Sequence, residues 1–214
     1  VDPGDEAVRA LVARAEIEQV VLKYCRGVDR QDWNLVRSCY HADAVDNHGS
    51  FIGGPDSLVE WMQSRHASID VCVHFVGNVL IDVHGDEAAV ESYYMAYQEL
   101  APGGVAVKAL TRDRETLEES ATTGLQLRML GRYVDWFERR DEVGWRIAHR
   151  QVVIESGHLE SLIGQQDWNL FQRGDRTPND HYKALQQRLR TARGVRQQLG
   201  ASHEVQPQSG LPHA

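Results

Sequence analysis

Residues 71–100, VCVHFVGNVLIDVHGDEAAVESYYMAYQEL, decide the fold. β-Branched and aromatic residues crowd both sides of the polar HGDE, so the stretch reads as two long strands joined by a tight turn. Downstream, LRMLGRYVDWFERR (127–140), DEVG (141–144) and WRIAHRQVVIES (145–156) repeat the pattern, which makes a meander of four antiparallel strands. Upstream the period changes. Val8, Leu11, Val12, Ile17, Val20, Val21, Tyr24 and Val28 recur at helical spacing, as one long helix or as two with a hitch near Ala15. Asp32 can cap a second helix through WNLVRSCY, because its side-chain oxygen can accept from the free amides of the first turn. Short β-rich pieces follow at AVDNH (44–48) and SFIG (50–53). GGPD then reads as a turn, and Asp56 as the cap of a third helix, SLVEWMQSRHA (57–67). Helices first and strands afterwards predict an α+β fold in which a curved antiparallel sheet wraps the N-terminal helices. A cone of that kind leaves a pocket between its layers, apolar with a few placed polar groups.

Two segments interrupt the pattern. KALTRDRETLEESATTGLQ (108–126) is polar and charged, and reads as a long hairpin loop or flap. Past Ser156 the sheet pattern ends. YKALQQRLRTARGVRQQL (182–199) sets Tyr182, Leu185, Leu189, Ala192 and Leu199 on one helical stripe, with Lys183, Arg188, Arg190, Arg193 and Arg196 around it. So short an apolar stripe suits docking on protein better than on a membrane. The expected organisation is an α+β domain over 1–156, an extension with an amphipathic helix over 157–200, and a disordered tail over 201–214.

Composition narrows the function. Of 214 residues, 42% are hydrophobic and 25% charged, ordinary values for a globular chain. The net charge of −8 supplies no positive field for nucleic acid or anionic lipid, so neither is an expected partner. The opening VDPGDEAVRA lacks the basic and apolar regions of an export signal, and a cytoplasmic protein is expected. Cys25, Cys39 and Cys72 are odd in number with no CxxC spacing, which fits a reducing compartment and packing roles. HADAVDNH (41–48) contains His41, Asp43, Asp46 and His48, and strand alternation would put Asp46 and His48 on one face. With no HxH or HxxxH pair in an identifiable element, neither a metal nor a cofactor is expected.

Chemistry concentrates on Asp29, near a helix end in KYCRGVDRQDW, and His74, in the strand stretch VCVHFVGN. A carboxylate that accepts the Nδ1 proton fixes the imidazole tautomer and leaves Nε2 free to abstract a proton. The plainer alternatives are Asp29 ion-paired with Arg26 or Arg30, and His74 satisfied by a backbone carbonyl. Tyr24 can point its hydroxyl into the same cavity, and His48 could serve as a second acid. Arg150 could offer a cationic fork to an enolate or a departing anion, or could instead pair with Asp135 or Glu155. Cys25, Cys72, Trp33 and Tyr133 are expected to line the pocket.

The stretches IEQVVLKYCRGVDRQDWNLVRSCYHADAV, FIGGPDSLVEWM, VHFVGN and GRYVDWFERRDEVGWRIAHRQVVI, in that order, resemble the SnoaL-like families of the nuclear transport factor 2 superfamily over about residues 10–155. Within it the chain looks most like the branch holding scytalone dehydratase, bile acid 7α-dehydratase and hexachlorocyclohexane dehydrochlorinase. The resemblance implies a cone-shaped barrel, often trimeric, with the catalytic Asp at Asp29 of GVDRQDW and the catalytic His at His74 of VHFVGN. The dehydratases carry a Tyr five positions before that Asp, here Tyr24, and the bile acid enzyme carries a second Tyr where this chain has His48. A late-strand Arg of some members falls on Arg150, with Arg146 or Arg132 as alternatives. The expectation is a cofactor-independent lyase acting on an apolar cyclic compound such as a steroid, polyketide or xenobiotic. An isomerase or polyketide cyclase would share its first step. A non-catalytic subunit like the small subunit of ring-hydroxylating dioxygenases, or a binding module, would share its fold.

Overall fold

The hairpin within 71–100 organises one broad sheet. The structure, a computed structural model, describes residues 3–111, 113–141, 143–162, 171–177 and 179–201. Strands β3 (Ile69–His84) and β4 (Glu87–Leu100) pair from Ile69↔Leu100 to His84↔Glu87, turning on Gly85 and Asp86. Gly85 takes a positive φ of 62°, the backbone state a two-residue hairpin demands and glycine adopts without a Cβ clash. β5 (Leu125–Arg140) and β6 (Gly144–Ser161) continue the meander, β6 running past the end of the sequence pattern at Ser156.

The sheet order is β2-β1-β6-β5-β4-β3, where β1 is Tyr40–Asn47 and β2 is Ile52–Gly53. β1 pairs with β6 in parallel, so the sheet is mixed rather than wholly antiparallel, and it stays open rather than closing into a barrel. The parallel pair follows from connectivity, since the α3 crossover and the meander return β6 to the side of β1 in the same direction. Register shifts between Gly77 and Leu80, Leu130 and Gly131, and Trp136 and Phe137 bend the long strands around the helices.

Helix α1 (Pro3–Asp29) is continuous through Ala15. It buries Ala13, Ile17, Val20, Val21, Tyr24, Cys25 and Val28 at helical spacing and packs on β3 and on α2 (Trp33–Arg37). Gly27 permits the α1–α2 contact, because a Cβ there would meet Val36 Cγ2 at 2.7 Å. Asp32 caps α2 as read, accepting from Leu35 N at 3.2 Å. α3 (Pro55–His66) begins before the expected cap: Gly54 is the N-cap, Pro55 supplies the first-turn residue that needs no amide proton, and Asp56 pairs with Arg37 instead.

The 108–126 region departs from the expected loop. α4 (Val105–Leu110) and α5 (Arg114–Ser120) occupy most of it. Ala106 and Val107 are buried, and Asp113 caps α5 by accepting from Thr116 N at 2.8 Å and Thr116 Oγ1 at 2.7 Å. Polarity hid a capping pattern that the sequence does contain.

Described residues up to Phe171 belong to one compact unit and those from Gln172 to another. The second contains α6 (His181–Ala201), the expected amphipathic helix, with Tyr182, Leu185 and Leu189 exposed. The side chains of Ala192, Arg193, Arg196 and Leu199, and the tail from 202 onward, lie outside the described residues. Among the described residues no helix is long and apolar enough to cross a membrane.

Candidate active site

Asp29 is the last residue of α1, where the helix dipole disfavours a negative charge and the carboxylate therefore needs donors. His74 on β3 supplies two of them. Its Nδ1 lies 2.6 Å from Asp29 Oδ1, and its backbone amide donates to Oδ2 at 2.9 Å, across 45 residues of sequence. A carboxylate only accepts, so Nδ1 carries a proton and Nε2, across the ring, is the nitrogen that gains or loses the second one. Cys72 Sγ lies 3.9 Å from the same Nδ1. Burial pulls the imidazole pKa down, but the hydrogen bonds to Asp29 and Cys72 outweigh it and push the value up to about 10. Arg30 contacts the Asp29 backbone carbonyl at 3.4 Å.

His74 borders a cavity of about 190 Å³ between the helices and the inner face of the sheet. Tyr24, His48, Tyr94, Tyr133, Trp61, Met62, Met129 and Val152 border it too. The tyrosines interlock: Tyr94 stacks on Tyr133 with centroids 4.4 Å apart, and Tyr133 meets Tyr24 edge-on at 5.6 Å. Gly131 makes room for Tyr94, since a Cβ there would lie 2.6 Å from its hydroxyl oxygen. Gln98 donates to Cys72 Sγ at 3.6 Å, and its buried Oε1, at the cavity wall, has no hydrogen-bond partner among the described residues.

Of the expected pocket residues, Tyr133 borders the cavity, whereas Cys25, Cys72 and Trp33 do not. Cys25 and Cys72 are buried, and burial pushes the Cys25 thiol up, which keeps it protonated. Trp33 lies edge-on against His66 at 5.6 Å, one layer back.

Arg150 is also absent from the cavity wall. Its Nε and Nη2 donate to Asp135 at 2.7 and 2.6 Å, and both side chains are wholly buried. The guanidinium lies over the rings of Tyr24 and Tyr133, 4.2 Å from each centroid. The pairing with Asp135 is therefore the realised alternative. Arg132 pairs with Glu91 and Glu155, and Arg146 reaches the carbonyl of Trp145. The arginine that does border the cavity is Arg65 of α3, and among the described residues its side chain makes no ion pair. Burial lowers its pKa, with Cys72 opposing. Sequence reading missed it, although Trp61, Met62, Arg65 and His66 share one helical stripe and all border the cavity.

A second carboxylate–imidazole pair was also missed as a pair. Asp46 Oδ1 is hydrogen-bonded to His48 Nδ1, and Asp46 Oδ2 accepts from Tyr40 Oη at 2.7 Å. His48 Nε2 lies 3.2 Å from Tyr24 Oη. Burial alone would raise the Asp46 pKa, but His48 and, more weakly, Arg150 and Tyr40 hold it below the ordinary carboxylate value. The available signal was the alternation D-N-H at the end of a strand. Among the described residues, Asp29, Cys72 and His74 form the one group with three potential metal donors, their ligand atoms within 4.8 Å of one another.

An open, curved sheet packed on N-terminal helices, with a chamber between them, is a fold this chain shares with a solved nuclear transport factor 2-like protein. The chain belongs to the SnoaL-like domain family, whose profile matches residues 9–151. Solved structures of similar fold include a type 2 hexachlorocyclohexane dehydrochlorinase, 16% identical with a TM-score of 0.61, covering 76% of this chain and 98% of that one. A scytalone dehydratase candidate from Novosphingobium aromaticivorans is 17% identical with a TM-score of 0.54, covering 74% and 97%. A nuclear transport factor 2-like superfamily protein from Salmonella enterica is 14% identical with a TM-score of 0.51, covering 74% and 97%. No curated protein matches the chain in sequence.

Proposed function

We propose that the protein is a cofactor-independent lyase that eliminates a group from a small apolar cyclic compound, with His74 as the base. The observation that carries this reading is the Asp29–His74 contact, which makes Nε2 the proton-exchanging nitrogen of a ring that borders an apolar cavity. Nε2 takes a proton from the carbon next to a carbonyl, and Asp29 stabilises the imidazolium that forms. Arg65, which makes no ion pair among the described residues, takes the enolate oxygen, the role the sequence had offered to Arg150. Tyr24 receives the departing group. The fold's occurrence in a dehydrochlorinase and in a scytalone dehydratase candidate supports elimination over simple binding. The volume of about 190 Å³ is below the roughly 300–1,000 Å³ of drug-sized sites and favours one or two fused rings over a steroid.

The test is a panel of one- and two-ring ketones with leaving groups β to the carbonyl, incubated with the parent, His74→Ala and Asp29→Asn. Turnover by the parent and its loss in both variants is expected. A parent that converts none of them, or a His74→Ala protein that matches it, ends the reading. Product analysis separates elimination from isomerisation or cyclisation, which share the first step.

Self-association is part of the same proposal. On the outer sheet face Phe75, Met95 and Leu130 stand in register across three strands and are 74%, 52% and 48% exposed. An apolar row of that kind suits a second copy of the chain. Phe75→Glu should lower the mass measured by light scattering, and an unchanged mass would place the contact elsewhere.

A further inference from the structure

We infer that Asp46, His48 and Tyr24 form a proton relay opposite in role to the Asp29–His74 pair, so that the group this enzyme expels is bound through oxygen and leaves as water or an alcohol. The inference rests on the elimination reading above and specifies its leaving group.

The chain of contacts is continuous. Asp46 is held by Tyr40 Oη at 2.7 Å and by His48 Nδ1, and His48 Nε2 reaches Tyr24 Oη at 3.2 Å. Both His48 and Tyr24 border the cavity that His74 borders, while Asp46 is wholly buried behind them. An imidazole whose Nδ1 proton is pinned by a carboxylate can pass a proton through Nε2 alone, and Tyr24 is the group Nε2 touches. Behind the phenol, the Arg150 guanidinium lies 4.2 Å from the Tyr24 ring centroid, where it stabilises negative charge developing on the oxygen. Burial acts the other way and keeps the resting phenol protonated, as a donor must be.

The step balances. His74 Nε2 takes the proton on the carbon beside the carbonyl, and that C–H electron pair becomes the new C=C bond. The β carbon–oxygen bond breaks with its electron pair on oxygen. That oxygen takes the Tyr24 proton, and Tyr24 takes the Nε2 proton of protonated His48, whose Nδ1 keeps its proton in the hydrogen bond to Asp46. One proton has moved from His48 to His74 by way of the substrate, water has formed from hydroxide and proton, and exchange with solvent resets both rings. A halide departs as a stable anion and needs none of this. A built donor path is therefore the signature of a poor leaving group, for which general acid catalysis contributes about 10² to 10⁴ in rate.

The experiment uses paired probes: bicyclic indanones and tetralones with hydroxyl β to the carbonyl, and the same rings with chloride there. Rates are measured for the parent, His48→Asn, His48→Gln, Tyr24→Phe and Asp46→Asn, with melting temperatures and near-ultraviolet dichroism to verify folding. The parent should eliminate both groups. Each variant should lower the hydroxyl-to-chloride rate ratio, by about 100-fold or more for His48 and Tyr24, and by a smaller factor for Asp46, which acts through His48. The ratio is internal to each protein, so a loss of active fraction cannot move it. Variants that slow both probes equally overturn the relay and leave the elimination reading standing. A parent that expels chloride but never hydroxide does the same. If the parent converts neither series, the elimination reading fails and takes the relay with it.

Discussion

Among the described residues, the buried carboxylates Asp29, Asp46 and Asp135 are paired with basic side chains, and they divide by what lies beyond the partner. Asp29 and Asp46 each hold an imidazole whose second nitrogen belongs to a ring on the cavity wall. Asp135 holds Arg150, which lies against the rings of Tyr24 and Tyr133 and does not border that cavity. Burying a charge costs several kcal/mol unless it is paired, so all three pairs share one structural logic. Of the three, only the histidine pairs place a basic side chain on that wall. Substitutions at the wall should thus change chemistry more than stability, and substitutions in the enclosed pair should do the reverse.

The largest effect belongs to the wall. Asp29→Asn should lower kcat/KM by about 10² to 10⁴ and move its pH dependence. In the parent, kcat/KM should rise with pH toward about 10, because His74 must be unprotonated to accept a proton from carbon. Removing the carboxylate leaves burial to favour the neutral ring, so the rising limb shifts to lower pH while its plateau falls. The same raised pKa has a stability consequence of definite sign. The pair stabilises the fold fully below the ordinary imidazole value of 6.5, and that contribution is lost as pH climbs through about 10. Urea titrations across that range should show the decline in the parent and not in Asp29→Asn.

Next in size is the enclosed pair. Arg150→Ala should cost about 3–5 kcal/mol in a denaturant titration, since it strands a buried carboxylate, whereas Arg150→Met with Asp135→Leu should cost far less. Equal losses in the single and double variants would show that the ion pair is not what the interior requires. Smaller again is Gly131→Ala. The new Cβ would lie 2.5 Å from the Val153 carbonyl oxygen and 2.6 Å from Tyr94 Oη, which predicts a loss of about 1–3 kcal/mol and a shifted Tyr94. The smallest is Glu160→Ala. Its partner Arg128 is 53% exposed, so solvent screens the pair and the denaturation midpoint should barely move, a control for the buried pairs.

How legible these pairs were depended on how far apart their members lie in the fold's logic. Asp29 and His74 are legible from motifs at family spacing, and that spacing predicts the contact between them. Asp46 and His48 are two residues apart, yet short-range alternation says only that two side chains share a strand face, not that Tyr24 of a different element completes the row. Arg65 was overlooked because a charged residue on a short amphipathic helix ordinarily faces solvent. α4 and α5 were overlooked for a related reason: a polar segment whose buried residues are few carries a weak periodic signal, and the Asp113 cap was its clearest mark.

From the chain alone came the order of helices and strands, the α+β class and the choice of Asp29 and His74, because periodicity, capping and motif spacing are properties of neighbours along a polymer. Tertiary structure alone decided that β1 lies parallel to β6, that Arg65 rather than Arg150 borders the cavity, and that a second imidazole pair stands behind Tyr24. Those are relations between distant segments, set by how a bent sheet closes over its helices, and a linear pattern carries no record of the bend.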